Sequence, residues 1–171
     1  IRVFQKFQTL PNPSFLVGNC NLWNDDEEII EINKPQRMHF YDLLLGWDIN
    51  PFPANPSAYF YHKSIHEQIG LYDVEDHDAM DLHFLLKTVQ VATVKYMDET
   101  WGNFRVIEGT KTYYSNQNGE TLKRIKVILE SYRQKLPFGL RVKLSLKRQI
   151  CKKKKGLERR ITHLTSKRLI S

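Results

Sequence analysis

Apolar residues in this chain change their spacing from segment to segment, and each change marks an element. Val3, Phe4, Phe7 and Leu10 fall at helical spacing and stop at Pro11 and Pro13. Proline removes a backbone donor and restricts the residue before it, so these positions predict the last turns of an amphipathic helix. Ser14 to Trp23 is β-rich, Asn24-Asp25-Asp26 reads as a turn, and Glu28 to Asn33 alternates, which together predict a hairpin-like pair of strands. Met38 to Leu45 is apolar enough for a buried helix, with Gly46 supplying the left-handed conformation favoured at helix C-termini. The prolines of the following WDINPFPANP segment exclude regular structure and predict an ordered loop.

Further along, Ala58 to Tyr61 predicts a strand. Ser64 to Ile69 predicts a short helix capped by Ser64 and ended by Gly70. Met80 to Val91 is the strongest helical segment of the globular part, Val94 to Met97 and Trp101 to Arg105 are expected as two strands, and Glu120 to Leu136 as a helix ended by Pro137. Beyond it, Leu146, Ile150, Leu157, Ile161 and Leu164 draw an apolar stripe on a helix whose other positions carry lysine and arginine, with Gly156 as its weak point. There is no internal repeat and no glycine-rich phosphate loop; Lys152 to Lys155 is the one low-complexity patch.

Charge separates the same two parts. Residues 1–140 hold 14 Lys and Arg against 18 Asp and Glu, a net of −4, whereas residues 141–171 hold 12 against 1, a net of +11. The overall +7 therefore belongs to the tail, and a nucleic-acid reading would rest on a segment with no aromatic residue for base stacking. An anionic membrane surface suits a basic amphipathic helix better, and a partly disordered basic extension is the bland alternative. Among 171 residues with 41% hydrophobic content, one domain with a core is expected. Cys20 and Cys151 provide neither a disulfide framework nor a cysteine zinc site. A cytoplasmic setting is expected, with a peripheral place at the inner face of the membrane as its extension through residues 141–171. No run of eighteen apolar residues and no signal peptide is visible, and a start at Ile1 instead of Met leads us to expect a truncated beginning.

The informative chemistry lies between Pro53 and Arg105. An aromatic segment, Ser57 to His62, is followed by Ile69-Gly70-Leu71-Tyr72-Asp73, by Met80-Asp81-Leu82-His83-Phe84-Leu85-Leu86-Lys87, and by Asp98-Glu99-Thr100-Trp101-Gly102-Asn103-Phe104-Arg105. In this order the blocks resemble the C-terminal, acceptor-side half of the catalytic domain of family 2 glycosyltransferases, over roughly residues 1–115. The resemblance implies an α/β fold: a partial GT-A domain, Rossmann-like with a mixed sheet, lacking its N-terminal nucleotide-binding half and followed by C-terminal helices. Residues 116–140 would form a helical extension and 141–171 a basic amphipathic tail.

The resemblance further implies an inverting transfer of sugar from a nucleotide-diphosphate sugar to a glycan or lipid-linked acceptor, as in polysaccharide biosynthesis. Asp81 would be the general base, which must lie within hydrogen-bond reach of the acceptor hydroxyl. Mg²⁺ or Mn²⁺ would be held through a DXD motif in a strand-loop context that this chain does not contain, Asp76-His77-Asp78 having the letters on the acceptor side, so this fragment alone is expected to be inactive. Arg105 would face the donor diphosphate, where a guanidinium can stabilise developing charge. Asn55, Ser57, Tyr59, Tyr61 and Trp101 would bind the acceptor, since sugar recognition uses aromatic faces together with amides and hydroxyls.

Each assignment has a plainer counterpart. Asp81 can be a first-turn carboxylate complementing a helix dipole, Arg105 a strand-end arginine in a surface ion pair, and any one aromatic a core residue. Strand alternation allows only one set of Ala58-Tyr59-Phe60-Tyr61 to face a pocket. The Glu75-Asp76-His77-Asp78 loop, with Asp81 three and four residues beyond Asp78 and His77, offers a weak metal motif, and no metal ligands are assigned to it. A non-catalytic module derived from a split transferase, binding a glycan, a membrane or a protein partner, is the alternative function.

Overall fold

The computed structural model describes residues 2–72, 80–109, 113–114 and 117–168; for Arg2 and for 159–168 the backbone alone is described. The acidic loop at 75–78 and Asp73 lie outside these residues. Among the described residues the fold is α/β, a four-stranded mixed sheet with six helices.

Strand β1 (Ser14–Trp23) is the axis of the sheet, and Ser14 to Cys20 are buried without interruption. Such a run needs cover on both edges and both faces. One edge is shared by β2 (Ile29–Asn33) and β3 (Tyr59–Tyr61), both antiparallel to β1: Cys20 to Trp23 pair with the former and Phe15 to Val17 with the latter. The other edge carries β4 (Thr93–Arg105), parallel to β1 over its whole length. A parallel pair needs a long crossover, and all the intervening elements form it: β2, α2 (Phe40–Leu43), a 3₁₀ turn at Pro56–Ala58, β3, α3 (Ser64–Ile69) and α4 (Met80–Val91). Helix α1 (Arg2–Gln8) precedes the sheet, and α5 (Glu120–Gln134) and α6 (Phe138–Arg168) follow it.

The core lies on one face of the sheet. Phe15, Val17 and Tyr59 meet Leu82, Phe84, Leu85 and Leu86 of α4, and the cluster continues through Leu43, Leu44 and Leu45 to Ile128 and Leu129 of α5 and Leu144 of α6. On the opposite face Gly18 lies against Trp101. A Cβ at residue 18 would come within 2.6 Å of the indole and 2.7 Å of the Glu99 carbonyl oxygen, so the close approach of β1 and β4 requires glycine there.

Several expectations change. The two strands foreseen at Val94–Met97 and Trp101–Arg105 are one strand, because Asp98-Glu99-Thr100 enters the ladder as bulges: β1 advances from Val17 to Cys20 while β4 advances from Tyr96 to Gly102. The helix foreseen over Met38–Leu45 contracts to Phe40–Leu43. Leu43, Leu44 and Leu45 are all fully buried, which no single helical face allows, and the chain continues in tighter turns through Leu45 N–H to Asp42 O and Gly46 N–H to Leu43 O. Ser64 does not cap α3. Lys63 occupies the cap without a side-chain bond, and the Ser64 hydroxyl donates instead to the Asn12 side-chain oxygen. Gly70 does end α3, with φ of +83°, a conformation that glycine adopts without steric cost. Gly156 does not interrupt α6, whose helix begins at Phe138 and crosses the expected boundary at 140/141.

Candidate functional site

Strand β3 and helices α3 and α4 converge on one aromatic cluster. Tyr59 and Tyr61, two apart on β3, point to the core face, and Phe84 of α4 stands between them and α3. Its ring centroid lies 4.8 Å from Tyr61, 4.6 Å from Tyr72, 5.2 Å from His66 and 6.4 Å from Tyr59. Helical spacing brings Met80, His83, Phe84 and Lys87 to the rim of a shallow cleft whose other wall is Ile69 to Tyr72.

A hydrogen-bonded relay runs through the cluster. His66 Nδ1 lies 3.0 Å from the Gly70 carbonyl, which can only accept, so Nδ1 carries the proton and Nε2 accepts from the Tyr61 hydroxyl at 3.1 Å. With its proton committed to His66, Tyr61 accepts in turn from the Tyr72 hydroxyl at 3.4 Å. Tyr72 also acts on the buried Tyr59 hydroxyl as a hydrogen-bonding neighbour, although no bond of normal geometry among the described residues reaches that hydroxyl.

Asp81 occupies the first turn of α4. No hydrogen bond or ion pair among the described residues reaches its carboxylate. The residue is exposed, yet the protein packed around its carboxyl desolvates the charge and pushes its pKa above the usual carboxylate range. Burial pushes the Tyr59 phenol strongly upward, and the negative charge of Asp81 pushes it in the same direction, which puts the two groups within electrostatic reach. Burial likewise raises Tyr72.

The other expected site residues lie apart from this centre. Trp101 is on the opposite face of the sheet, edge-on to Phe60 at 5.6 Å, with its indole N–H donating to Glu99 at 3.3 Å. Asn55 caps the 3₁₀ turn, its side-chain oxygen accepting from the Ser57 N–H at 2.9 Å. Ser57 hydroxyl stands against Gly102 of β4 and beside the buried Cys20 thiol. Arg105, at the end of β4, makes an exposed ion pair with Glu27 at 3.0 Å. Tyr59 and Tyr61 thus share the face of the sheet that α4 covers, with Asp81 on the first turn of that helix, and Trp101 and Arg105 lie apart from them.

Two groups escaped the reading of the sequence. One is His66, for which the available signal was its placement four residues before Gly70, the spacing that lets an imidazole bond to the carbonyl at a helix end. The other is a polar cluster beside the bulges. Asn19 Nδ2 donates to Asp98 Oδ1 at 2.8 Å, Lys34 Nζ reaches the same oxygen at 3.2 Å, and the Tyr96 hydroxyl lies 2.6 Å from Asn19 Oδ1 and 3.1 Å from Asp98 Oδ1. These donors hold the Asp98 carboxyl below its usual range, Asn19 foremost. Two of its partners, Asn19 and Lys34, lie far from Asp98 in sequence, so no local pattern announces it.

Among the described residues no three His, Cys, Asp or Glu side chains gather as metal ligands, and no helix is long and apolar enough to cross a membrane. No family model, curated protein or solved structure matches this chain.

Proposed function

We propose that this chain is the acceptor-binding half of an inverting GT-A glycosyltransferase similar to family 2, with Asp81 as general base. The observation that carries this reading is a carboxylate made more basic by the protein around it, without a bond among the described residues, at the start of the helix whose Phe84 meets Tyr59, Tyr61 and Tyr72. Desolvation makes the carboxylate more basic, which suits taking a proton from a bound hydroxyl, and the aromatic floor these rings make suits the C–H face of a sugar.

In the transfer, the acceptor O–H bond breaks toward the Asp81 carboxylate as the acceptor oxygen bonds to the anomeric carbon of the donor. The bond from that carbon to the diphosphate breaks in the same event, its electron pair leaving with the diphosphate and the anomeric configuration inverting. Arg105 serves the diphosphate by exchanging Glu27 for phosphate, a change an exposed pair permits at small cost. Tyr61 acts as structure, since its proton is committed to His66. The described residues do not form a site for Mg²⁺ or Mn²⁺, and no step is routed through one.

Asp81→Asn in the natural protein should reduce transfer by about 10²-fold or more, the usual loss of a general base, while donor affinity measured by calorimetry stays within two-fold or so. Near-normal turnover of that variant would overturn the assignment. Ionised Asp81 is the active form, so the acid limb of the pH–rate profile should lie above the ordinary carboxylate value of about 3.9. The sign for stability is opposite. A raised carboxyl pKa means that the folded state holds the proton longer, so ionisation opposes folding as pH rises through the window above the ordinary carboxylate value. At neutral pH the Asn variant should therefore melt at the same temperature as wild type or higher.

A non-catalytic binding module is the second reading, favoured by the engagement of Arg105 with Glu27 and by the placement of Trp101 on the far face of the sheet. It predicts no affinity for sugar nucleotides with Mn²⁺ present.

A further inference from the structure

Helix α6 has two unlike sides. At about 100° per residue, Leu144, Lys147, Arg148, Cys151 and Lys155 fall in one arc, and this arc faces the domain. Leu144 is buried, Lys147 pairs with Asp42 at 2.8 Å, Arg148 Nε donates to the Leu45 carbonyl at 3.3 Å, and Lys155 Nζ to the Asp48 carbonyl at 2.7 Å. The opposite arc carries Phe138, Val142, Leu146, Ile150 and Leu157, exposed by 73, 41, 55, 66 and 60%. Exposed cations flank it: Arg141 and Lys143 near the start, Lys152 and Lys154 beyond. The face expected to be apolar is thus the one the domain leaves uncovered.

We propose that this outer face of α6 seats the protein on an anionic lipid surface, the helix lying flat between bilayer and domain. Length fits, since 31 residues at about 1.5 Å each make an amphipathic rod of roughly 45 Å. Charge fits, with 12 Lys and Arg against 1 acidic residue in 141–171. Lys153 decides between lipid and a packed protein seam. It falls inside the apolar arc, seven residues after Leu146 and four before Leu157, and is exposed. In a helix–helix seam its ammonium would be buried without a partner, whereas at a bilayer its stem lies along the acyl region and its charge reaches the headgroups. Attachment of this kind requires no catalytic site and is independent of the transferase reading.

The test is sedimentation of the full chain with vesicles of phosphatidylcholine alone or with about 30% phosphatidylglycerol, without sugar nucleotide, in roughly 100 and 500 mM salt. Binding is expected to the anionic vesicles only and to weaken with salt. The double variant Leu146→Glu/Ile150→Glu, whose side chains touch no core, should keep the wild-type circular dichroism and lose about ten-fold or more in vesicle affinity. Failure of wild type to bind anionic vesicles overturns the proposal. So does binding that survives the double variant but is lost when Lys152 to Lys155 become glutamine, because charge alone would then act, as on a nucleic acid. A wild-type dimer that the double variant dissociates, with vesicle binding unchanged, overturns it in favour of a second copy.

Discussion

Helices α4 and α6 carry comparable amounts of apolar sequence and spend it differently. Within twelve residues α4 buries Leu82, Phe84, Leu85, Leu86 and Thr88. From Phe138 to Glu158, α6 buries Leu144 and leaves Leu146, Ile150 and Leu157 in solvent. The contacts of α4 are rings and aliphatic side chains, whereas α6 is held largely by cations reaching the segment from Asp42 to Asp48. Periodicity shows that a helix has an apolar face; it does not show which neighbour that face will meet.

The contrast can be tested by unfolding. Phe84→Ala should have the largest effect, about 3–5 kcal/mol in urea or thermal denaturation, because Phe84 is 3% exposed and joins four other rings. A loss below about 1 kcal/mol would mean that the aromatic cluster is looser than its geometry. Arg133→Met is next. Arg133 is buried in α5, and its guanidinium donates twice to the Leu44 carbonyl, at 2.9 and 2.7 Å. Leaving that carbonyl without a partner should cost about 1–3 kcal/mol. The smallest effect belongs to Leu146→Ser, expected within about 0.5 kcal/mol of wild type, as for other surface positions. A large loss there would show that the outer face of α6 is already covered in the free protein and would erase the contrast.

How much of this was legible follows the same division. The β1–β2 hairpin, α4 from Met80 to Val91 and α3 ending at Gly70 could be read because each combines periodicity with local punctuation, proline, glycine or a turn sequence. The single β4 could not, since Asp98-Glu99-Thr100 looks like a turn until Asn19 and Lys34 reach Asp98 from across the sheet. The short α2 was overestimated because burial on every side resembles helical amphipathicity when only hydrophobicity is counted. At the candidate site, Asp81, Tyr59 and Tyr61 could be placed on their elements by order and alternation. That Tyr61 is engaged by His66 while Tyr59 is not depends on the angle between α3 and β3, which no local spacing encodes.

The seat of the terminal helices has a further consequence, for how the sequence can vary. Arg133, Arg148 and Lys155 grip carbonyl oxygens of Leu44, Leu45 and Asp48, atoms that every residue type possesses. The exposed side chain at position 48 can therefore change without breaking its bond, provided the backbone path is kept, whereas positions 44 and 45 must stay apolar for the core they fill. The gripping cations have no such freedom. Selection should thus act on charge and reach in α5 and α6, and on burial, not on hydrogen-bonding side chains, at 44 and 45.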